Sequence, residues 1–284
     1  MTKGVILSGG MGSRLYPLTN IINKQLLHVY DKPMIYYPLS FLIKRGIKDI
    51  CIITSAEFVL FYKELFKKHK SLGLNIIFKV QPSPKGIPDA FLIAEKFIGK
   101  DNSCLILGDN IFHGTQRYNV PEKGAMVFGY PVKDPERYGV VEFDSRNRAI
   151  SIEEKPENPK SKYAIPGVYF FDNKACQYAR QLKPSDRGEL EITDLIKKYI
   201  DKDALKVTKL NRGHVWLDAG LPSSLHQAAS YIQMIQERQG VSIGCIEEDC
   251  YRSGFIDKKQ LKSITNSLPD CEYKVYLDNI LNES

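Results

Sequence analysis

The sequence predicts an α/β fold: a mostly parallel central sheet covered by helices on both faces, with a smaller β-rich part and a helical C-terminal tail. Three observations carry this. Short apolar runs alternate with amphipathic stretches from residue 3 to residue 108, the middle of the chain is strand-rich with few helices, and helical periodicity takes over after about Leu221. Strands alternating with helices give βαβ units, hence a parallel sheet buried on both faces.

The alternation runs through Val5–Leu7, Met34–Ile43, Ile50–Ile53, Phe58–Phe66, Ile76–Val80, Ala90–Phe97 and Cys104–Leu107. Strands are then expected at Ala125–Tyr130, Gly139–Phe143, Ala149–Glu153 and Gly167–Phe171, forming a second β-rich lobe or an extension of the sheet. A helix follows at about Leu190–Tyr199, then a strand at about Leu205–Leu210 and the segment Gly213–Gly220. Leu225, Ala228, Ile232 and Ile235 recur at helical spacing and lead into the tail.

The 284 residues suffice for a core that needs no disulfides, and 43% hydrophobic with 26% charged residues is ordinary globular composition. The six cysteines (51, 104, 176, 245, 250 and 271) stand singly without a CxxC pair, so a zinc site is not expected. No apolar run is long enough to cross a bilayer, and the N-terminus enters a strand with no leader-like segment, so a cytoplasmic location is expected. The net charge of +7 comes from scattered lysines without a basic stripe interleaved with aromatics. That pattern suits an anionic small molecule or a plain solvated surface and gives no case for nucleic acid.

In an open parallel sheet, ligands bind beyond the carboxyl ends of the strands, near the switch in strand order. Two loops lie there: Ser8-Gly9-Gly10-Met11-Gly12-Ser13-Arg14 after the first strand, and Gly108-Asp109-Asn110 after the fourth. Gly9, Gly10 and Gly12 permit close backbone approach, so their amides can converge on a phosphate while Arg14 adds a charged fork. The loop is neither a Walker A nor a dinucleotide motif, and a tight structural turn is the alternative. Asp109 and Asp218, each in a strand-then-loop setting, could share one Mg²⁺; taken singly, each could as well cap a turn. Lys155, in Glu154-Lys155-Pro156, and Arg187, before a helix, would suit a second phosphate or serve as surface charges.

Taken together and in order, these motifs carry a resemblance. They are Leu7-Ser-Gly9-Gly10-x-Gly12-Ser13-Arg14-Leu-x-Pro, Asn23-Lys24-Gln25-Leu-Leu27, Asp31-Lys-Pro-Met-Ile-Tyr-Tyr-Pro-Leu39 and Gln81-Pro-Ser-Pro84. Next come Leu107-Gly-Asp109-Asn-Ile-Phe112, Asp134-Pro-Glu-Arg-Tyr138-Gly-Val-Val-Glu-Phe143 and Glu153-Glu-Lys-Pro156. Arg187-Gly-Glu-Leu-Glu-Ile-Thr-Asp194 and Trp216-Leu-Asp218 complete the set. Over nearly the whole chain this resembles the glucose-1-phosphate thymidylyltransferases, also called dTDP-glucose pyrophosphorylases.

The resemblance implies a Rossmann-like nucleotidyltransferase fold in residues 1–240, with a nucleotide part at about 1–123, a sugar-phosphate part at about 124–220, and a tail at 241–284. It implies Mg²⁺-dependent joining of dTTP, or alternatively UTP, to glucose 1-phosphate with release of pyrophosphate. Gly9, Gly10, Gly12, Ser13 and Arg14 would hold the triphosphate with Lys24 beside it, Gln25, Gln81 and Gly86 would line the nucleoside pocket, and Leu7 and Asp109 would also bind the nucleotide. Asp109 and Asp218 would bind the metal. The sugar would lie against Ile87, Tyr138, Gly139, Glu154, Ile165 and Thr193, with Lys155 and Arg187 on its phosphate. Catalysis would rest on Arg14, Lys24, Asp109, Lys155 and Asp218, because the two reacting polyanions must be neutralised and aligned. A homo-oligomer, tetramer or dimer, is implied as well, with Phe255 and Tyr276 of the tail facing a neighbour or capping their own domain.

The chain departs from the family pattern in several places. Asp-Gly-Leu-Ala-Gln is here Lys85-Gly86-Ile87-Pro88-Asp89, which changes charge and stiffness beside the base, and Asp-Thr-Gly is Asp218-Ala219-Gly220. Val-Thr-Gly is Ile165-Pro166-Gly167, where an added methylene in a tight pocket is worth about 1 to 3 kcal/mol. The stretch from His113 to Ala125 is shorter than in the family, where it helps form a regulatory nucleotide site with the region around Cys245–Ile256. Weakened or absent feedback regulation is therefore expected, and a non-catalytic nucleotide-sugar sensor is the alternative outside the enzyme class.

Overall fold

The computed structural model describes residues 1–116 and 118–283. Arg117, inside the 113–125 stretch, and Ser284, at the end of the expected tail, lie outside the described residues.

The first part comprises β1 (Thr2–Ser8), a hairpin of β2 (His28–Val29) and β3 (Lys32–Pro33), α1 (Tyr36–Ile43), β4 (Asp49–Thr54), α2 (Val59–Leu65), β5 (Asn75–Val80), α3 (Asp89–Ile93), α4 (Glu95–Ile98) and β6 (Asn102–Leu107). The middle holds β7 (Asn110–His113), β8 (Ala125–Pro131), β9 (Gly139–Phe143), β10 (Ala149–Glu154), β11 (Tyr163–Ala164), β12 (Val168–Phe171), α5 (Ala175–Ala179), α6 (Ile192–Ile200), β13 (Leu205–Lys209) and β14 (Val215–Asp218). The chain then turns helical in α7 (Pro222–Gln239), α8 (Ile246–Arg252), α9 (Lys258–Asn266) and α10 (Glu272–Asn282).

Ten strands form one sheet in the order β10-β9-β11-β8-β12-β6-β1-β4-β5, with β13 also paired to β8. The pairs β6-β1, β1-β4 and β4-β5 are parallel, β12 runs antiparallel between β6 and β8, and β13 is parallel to β8. From β5 to β13, therefore, only β12 is reversed. The strand-rich middle is an extension of this sheet, continued by β11, β9 and β10 in antiparallel pairing.

Alternate side chains of β1 enter opposite cores, as a strand buried on both faces requires. Ile6 joins Ile50, Ile52, Cys104 and Ile106 on one side; Val5 joins Cys51, Ile53 and Leu105 on the other. Helix α1 and the tail cover the first face: Leu39 and Ile43 pack with Cys245, Ile246, Cys250, Leu261, Leu277 and Ile280. Phe255 and Tyr276 pack against that same cluster, so the tail completes the core of its own chain. Helix α6 covers the second face through Ile192, Leu195, Ile196 and Tyr199, at helical spacing. At about 1.5 to 3 kcal/mol for each large apolar side chain withdrawn from water, these two faces supply the drive to fold.

The expected Ala90–Phe97 helix is divided at Ala94, where ψ of 1° interrupts the α geometry. Five cysteines are buried and Cys271 is exposed, all of them free thiols. Among the described residues no helix is long and apolar enough to cross a membrane.

Candidate active site

The switch in strand order falls at β1, whose neighbours β4 and β6 continue the sheet in opposite directions. The loops after β1 and β6 therefore meet at the sheet's carboxyl edge. After β1, Gly12 has φ of 64°, a left-handed conformation that glycine adopts without strain. Gly9 lies close under Gln81, since a Cβ there would stand 2.3 Å from Gln81 Oε1 and displace that side chain. Gly10, Ser13 and Arg14 are exposed, while Gly9 is buried and Leu7 half-buried.

Asn23 organises the turn that carries Lys24 and Gln25. Its Oδ1 accepts from Tyr62 Oη at 2.6 Å and from Gln25 N at 3.2 Å, and its Nδ2 donates to Ser8 O at 3.2 Å. The turn is thereby tied to the end of β1, and Lys24 Nζ donates to Asp109 Oδ2. Gln25 is buried beside Gly108, where a Cβ would lie 2.8 Å from Gln25 Cγ.

Strand β7, which was not foreseen in the sequence, starts at Asn110 and pairs antiparallel with β14, setting Asp218 opposite Asn110 and thus next to Asp109. Ala219 N also donates to Asp109 O at 3.1 Å. The two carboxylates have different environments. Burial pushes Asp109 up, but the Lys24 ammonium and the hydrogen bonds from Lys24 and Asn110 outweigh it and hold the group below the usual carboxylate range. Burial and then the Asp109 charge raise Asp218, with Lys24, Arg14 and Arg137 offsetting part of the rise.

Beside this pair opens a cavity of about 230 Å³. Every residue expected at the sugar phosphate lines it: Ile87, Tyr138, Gly139, Glu154, Lys155, Ile165, Arg187 and Thr193. Arg14, Asp109 and Asp218 line it too. Leu7, Gly9, Gly10, Gly12, Ser13, Lys24, Gln25, Gln81 and Gly86 are outside this lining.

Lys155 follows β10 with φ of 42°, an uncommon conformation for a residue with a Cβ, and its N–H donates to Tyr138 O at 3.0 Å. Arg187 is met by three carboxylates: Glu189 at 3.3 Å, Glu191 at 3.6 Å and Glu154 at 3.8 Å. Burial and then Glu191 raise the Glu154 carboxyl, against the cations Lys155 and Arg187. Gly86 forms a bridge to Leu190, and Leu190 N donates to Lys85 O at 2.8 Å, so the loop after Gln81 is joined to the segment bearing Arg187.

Asn110, Arg137 and Trp216, which the sequence offers only as parts of motifs, also line the cavity. Asn110 accepts from Trp216 Nε1 at 2.6 Å, Trp216 meets the Tyr138 ring edge-on at 5.0 Å, and Arg137 lies over Tyr138 at 5.3 Å while pairing with Asp134 at 2.6 Å. Their motif membership was the available signal; the β7-β14 pairing that unites Asn110 with Trp216 spans more than a hundred residues.

A glycine loop carrying Arg14, the cations Lys155 and Arg187, two neighbouring carboxylates and a cavity at the switch point make a site of the kind that handles phosphate esters. In keeping with this, residues 3–234 match the nucleotidyl transferase family, and the chain belongs to it. More particularly, it is 50% identical to the glucose-1-phosphate thymidylyltransferase of Neisseria meningitidis serogroup A, covering 99% of this chain and 100% of that protein. It is 51% identical to the glucose-1-phosphate thymidylyltransferase of Xanthomonas campestris pv. campestris, covering 97% and 95%. A solved Bacillus anthracis structure in complex with sucrose superposes with a TM-score of 0.74 at 40% identity, covering 81% of this chain and 95% of that one.

Proposed function

We propose that the protein is a glucose-1-phosphate thymidylyltransferase, joining dTTP to glucose 1-phosphate to give dTDP-glucose and pyrophosphate. The observation that carries this reading is that four cations, Arg14, Arg137, Lys155 and Arg187, share one cavity with the carboxylates Asp109 and Asp218. Both substrates are polyanions, and their approach is unfavourable unless cations offset the repulsion.

The triphosphate lies along Gly9, Gly10, Gly12, Ser13 and Arg14, with Leu7 beneath and Lys24 alongside; the nucleoside faces Gln25, Gln81 and Gly86. The sugar occupies the cavity against Ile87, Tyr138, Gly139, Glu154, Ile165 and Thr193, with its phosphate on Lys155 and Arg187. A sugar-phosphate oxygen attacks the α-phosphorus in line with departing pyrophosphate, and orientation by the cavity replaces a diffusive encounter. No general base is needed, since a phosphate monoester is already largely ionised at neutral pH.

Asp109 and Asp218 fit a magnesium ion. They are hard oxygen donors on neighbouring segments, Asp218 lying opposite Asn110 in the β7-β14 pair. Among the described residues no group of three or more ligating side chains gathers, so substrate oxygens and water would complete the shell. When bound, Mg²⁺ offsets charge on the phosphates. The protein acts in the cytoplasm, as a homo-oligomer.

Pyrophosphate release from a panel of nucleoside triphosphates and sugar 1-phosphates tests the reading. Preference for dTTP with glucose 1-phosphate supports it, equal or better use of UTP moves the assignment to a uridylyltransferase, and no turnover with any pair favours a nucleotide-sugar sensor.

A further inference from the structure

The side-chain amide of glutamine is nearly symmetric in shape but not in chemistry, so whichever way it faces decides what it can recognise. Gln81 follows β5 at the carboxyl edge of the sheet and is 5% exposed, pressed against Gly9. Its Nε2 donates to Asp89 Oδ2 at 3.0 Å. A carboxylate only accepts hydrogen bonds, so the amide cannot turn over without setting its own oxygen against Asp89. Oε1 accepts no hydrogen bond from any described residue, and only one of the two N–H groups is engaged by Asp89. Gln81 thus keeps one acceptor and one donor, in a fixed order.

We propose that Asp89 is a specificity-determining positioning residue that locks Gln81 into the acceptor–donor order complementary to thymine and uracil. Those bases present an N3–H donor next to a carbonyl acceptor; cytosine presents an N3 acceptor next to an amine donor. With the amide locked, cytosine would set lone pair against lone pair and N–H against N–H, and a site whose polar groups are mispaired rejects its ligand far more strongly than one lacking a methyl contact. Without the Asp89 carboxylate the amide of this glutamine would be free to turn over. Asp89 sits at the start of α3 directly after Pro88, whose ring fixes the backbone that presents the carboxylate. The proposal rests on the reading that Gln81 meets the base.

The experiment compares dTTP, UTP and dCTP in the wild type, Asp89→Ala and the isosteric Asp89→Asn, by kcat/KM and by equilibrium binding, with melting temperatures to check folding. The expected result is a strong wild-type preference for dTTP and UTP over dCTP. Both variants should narrow the dTTP to dCTP ratio at least tenfold, in part by an absolute gain for dCTP, with the dTTP to UTP ratio unchanged. A merely structural role for Asp89 would lower all three nucleotides alike, and an unchanged ratio overturns the proposal, as does a wild type that does not prefer dTTP over dCTP. Should Asp89→Ala fail to fold, Asp89→Asn carries the comparison. Selective binding that the variants lose, without pyrophosphate release, would keep this proposal and sink the transferase reading. Turnover with an unchanged ratio would do the reverse.

Discussion

Trp216 Nε1 donates to Asn110 Oδ1 at 2.6 Å, and Gly167 N reaches the same oxygen at 3.0 Å. From its other end Asn110 donates to Asp109 Oδ1 at 2.9 Å. One buried amide therefore connects β14, the start of β12 and a carboxylate of the site. Asn110→Ala would orphan two buried donors, at a cost of about 1 to 3 kcal/mol each. We expect a loss of at least about 2 kcal/mol in urea unfolding, together with a fall in kcat/KM of about tenfold or more as Asp109 loses its support. Unfolding midpoints and steady-state kinetics check both.

Gly139 tests the assignment of the cavity to the sugar. A Cβ there would lie 2.9 Å from Thr193 Cγ2 and 3.4 Å from Glu154 Oε2, so neighbours must give way. Gly139→Ala should raise KM for the sugar phosphate by about tenfold while KM for the nucleotide changes little. Separate titrations of the two substrates decide it; a change confined to the nucleotide would reassign the cavity.

Lys24 is buried, and its ammonium is the cation that holds Asp109 ionised. Lys24→Met strips a buried carboxylate of its partner, which typically costs about 3 to 5 kcal/mol. We expect a stability loss of that order and, on the proposed reading that this cation acts on charge developing during transfer, a fall in kcat/KM of about a hundredfold or more, larger in kcat than in either KM.

Asp249 in α8 gives a pH signature away from the site. Burial pushes its carboxyl up to about 6, despite Lys44 Nζ at 3.3 Å. The folded-state value lies above the unfolded one, so this group's contribution to stability is fully present below about pH 4 and is lost as pH rises through about 6. Relative to Asp249→Asn, which does not titrate, the wild type should lose about 2 to 3 kcal/mol between pH 4 and pH 7. Urea unfolding at the two pH values measures it, and a relative gain over that range would mean that the Lys44 pair dominates.

The parallel half of the fold was legible because each of its strands is an apolar run, as in Cys104–Leu107, and the glycine loop and Asp109 follow from where such strands end. The β7-β14 pairing was not, since Asn110–His113 is only four residues long and gains its strand character from a partner far away in sequence. Arg137 and Trp216 are not legible as site residues for the same reason, since their ring contacts with Tyr138 are a tertiary arrangement. The strand-rich middle could be read as a lobe or as a sheet extension, and β12 decides the matter by pairing with both β6 and β8. Likewise Phe255 and Tyr276 could be read as facing a neighbour or their own domain, and they pack against the chain's own core.

On the proposed reading Asp109 and Asp218 act together on a cation during transfer. Pyrophosphate release from dTTP and glucose 1-phosphate, followed against free Mg²⁺ in the wild type and in Asp218→Asn, tests it most directly. The expected result is a saturable Mg²⁺ requirement in the wild type and a loss of about a hundredfold or more in kcat/KM in a variant with unchanged circular dichroism. A wild type that turns over in excess chelator, or a variant that keeps its rate, would contradict the account.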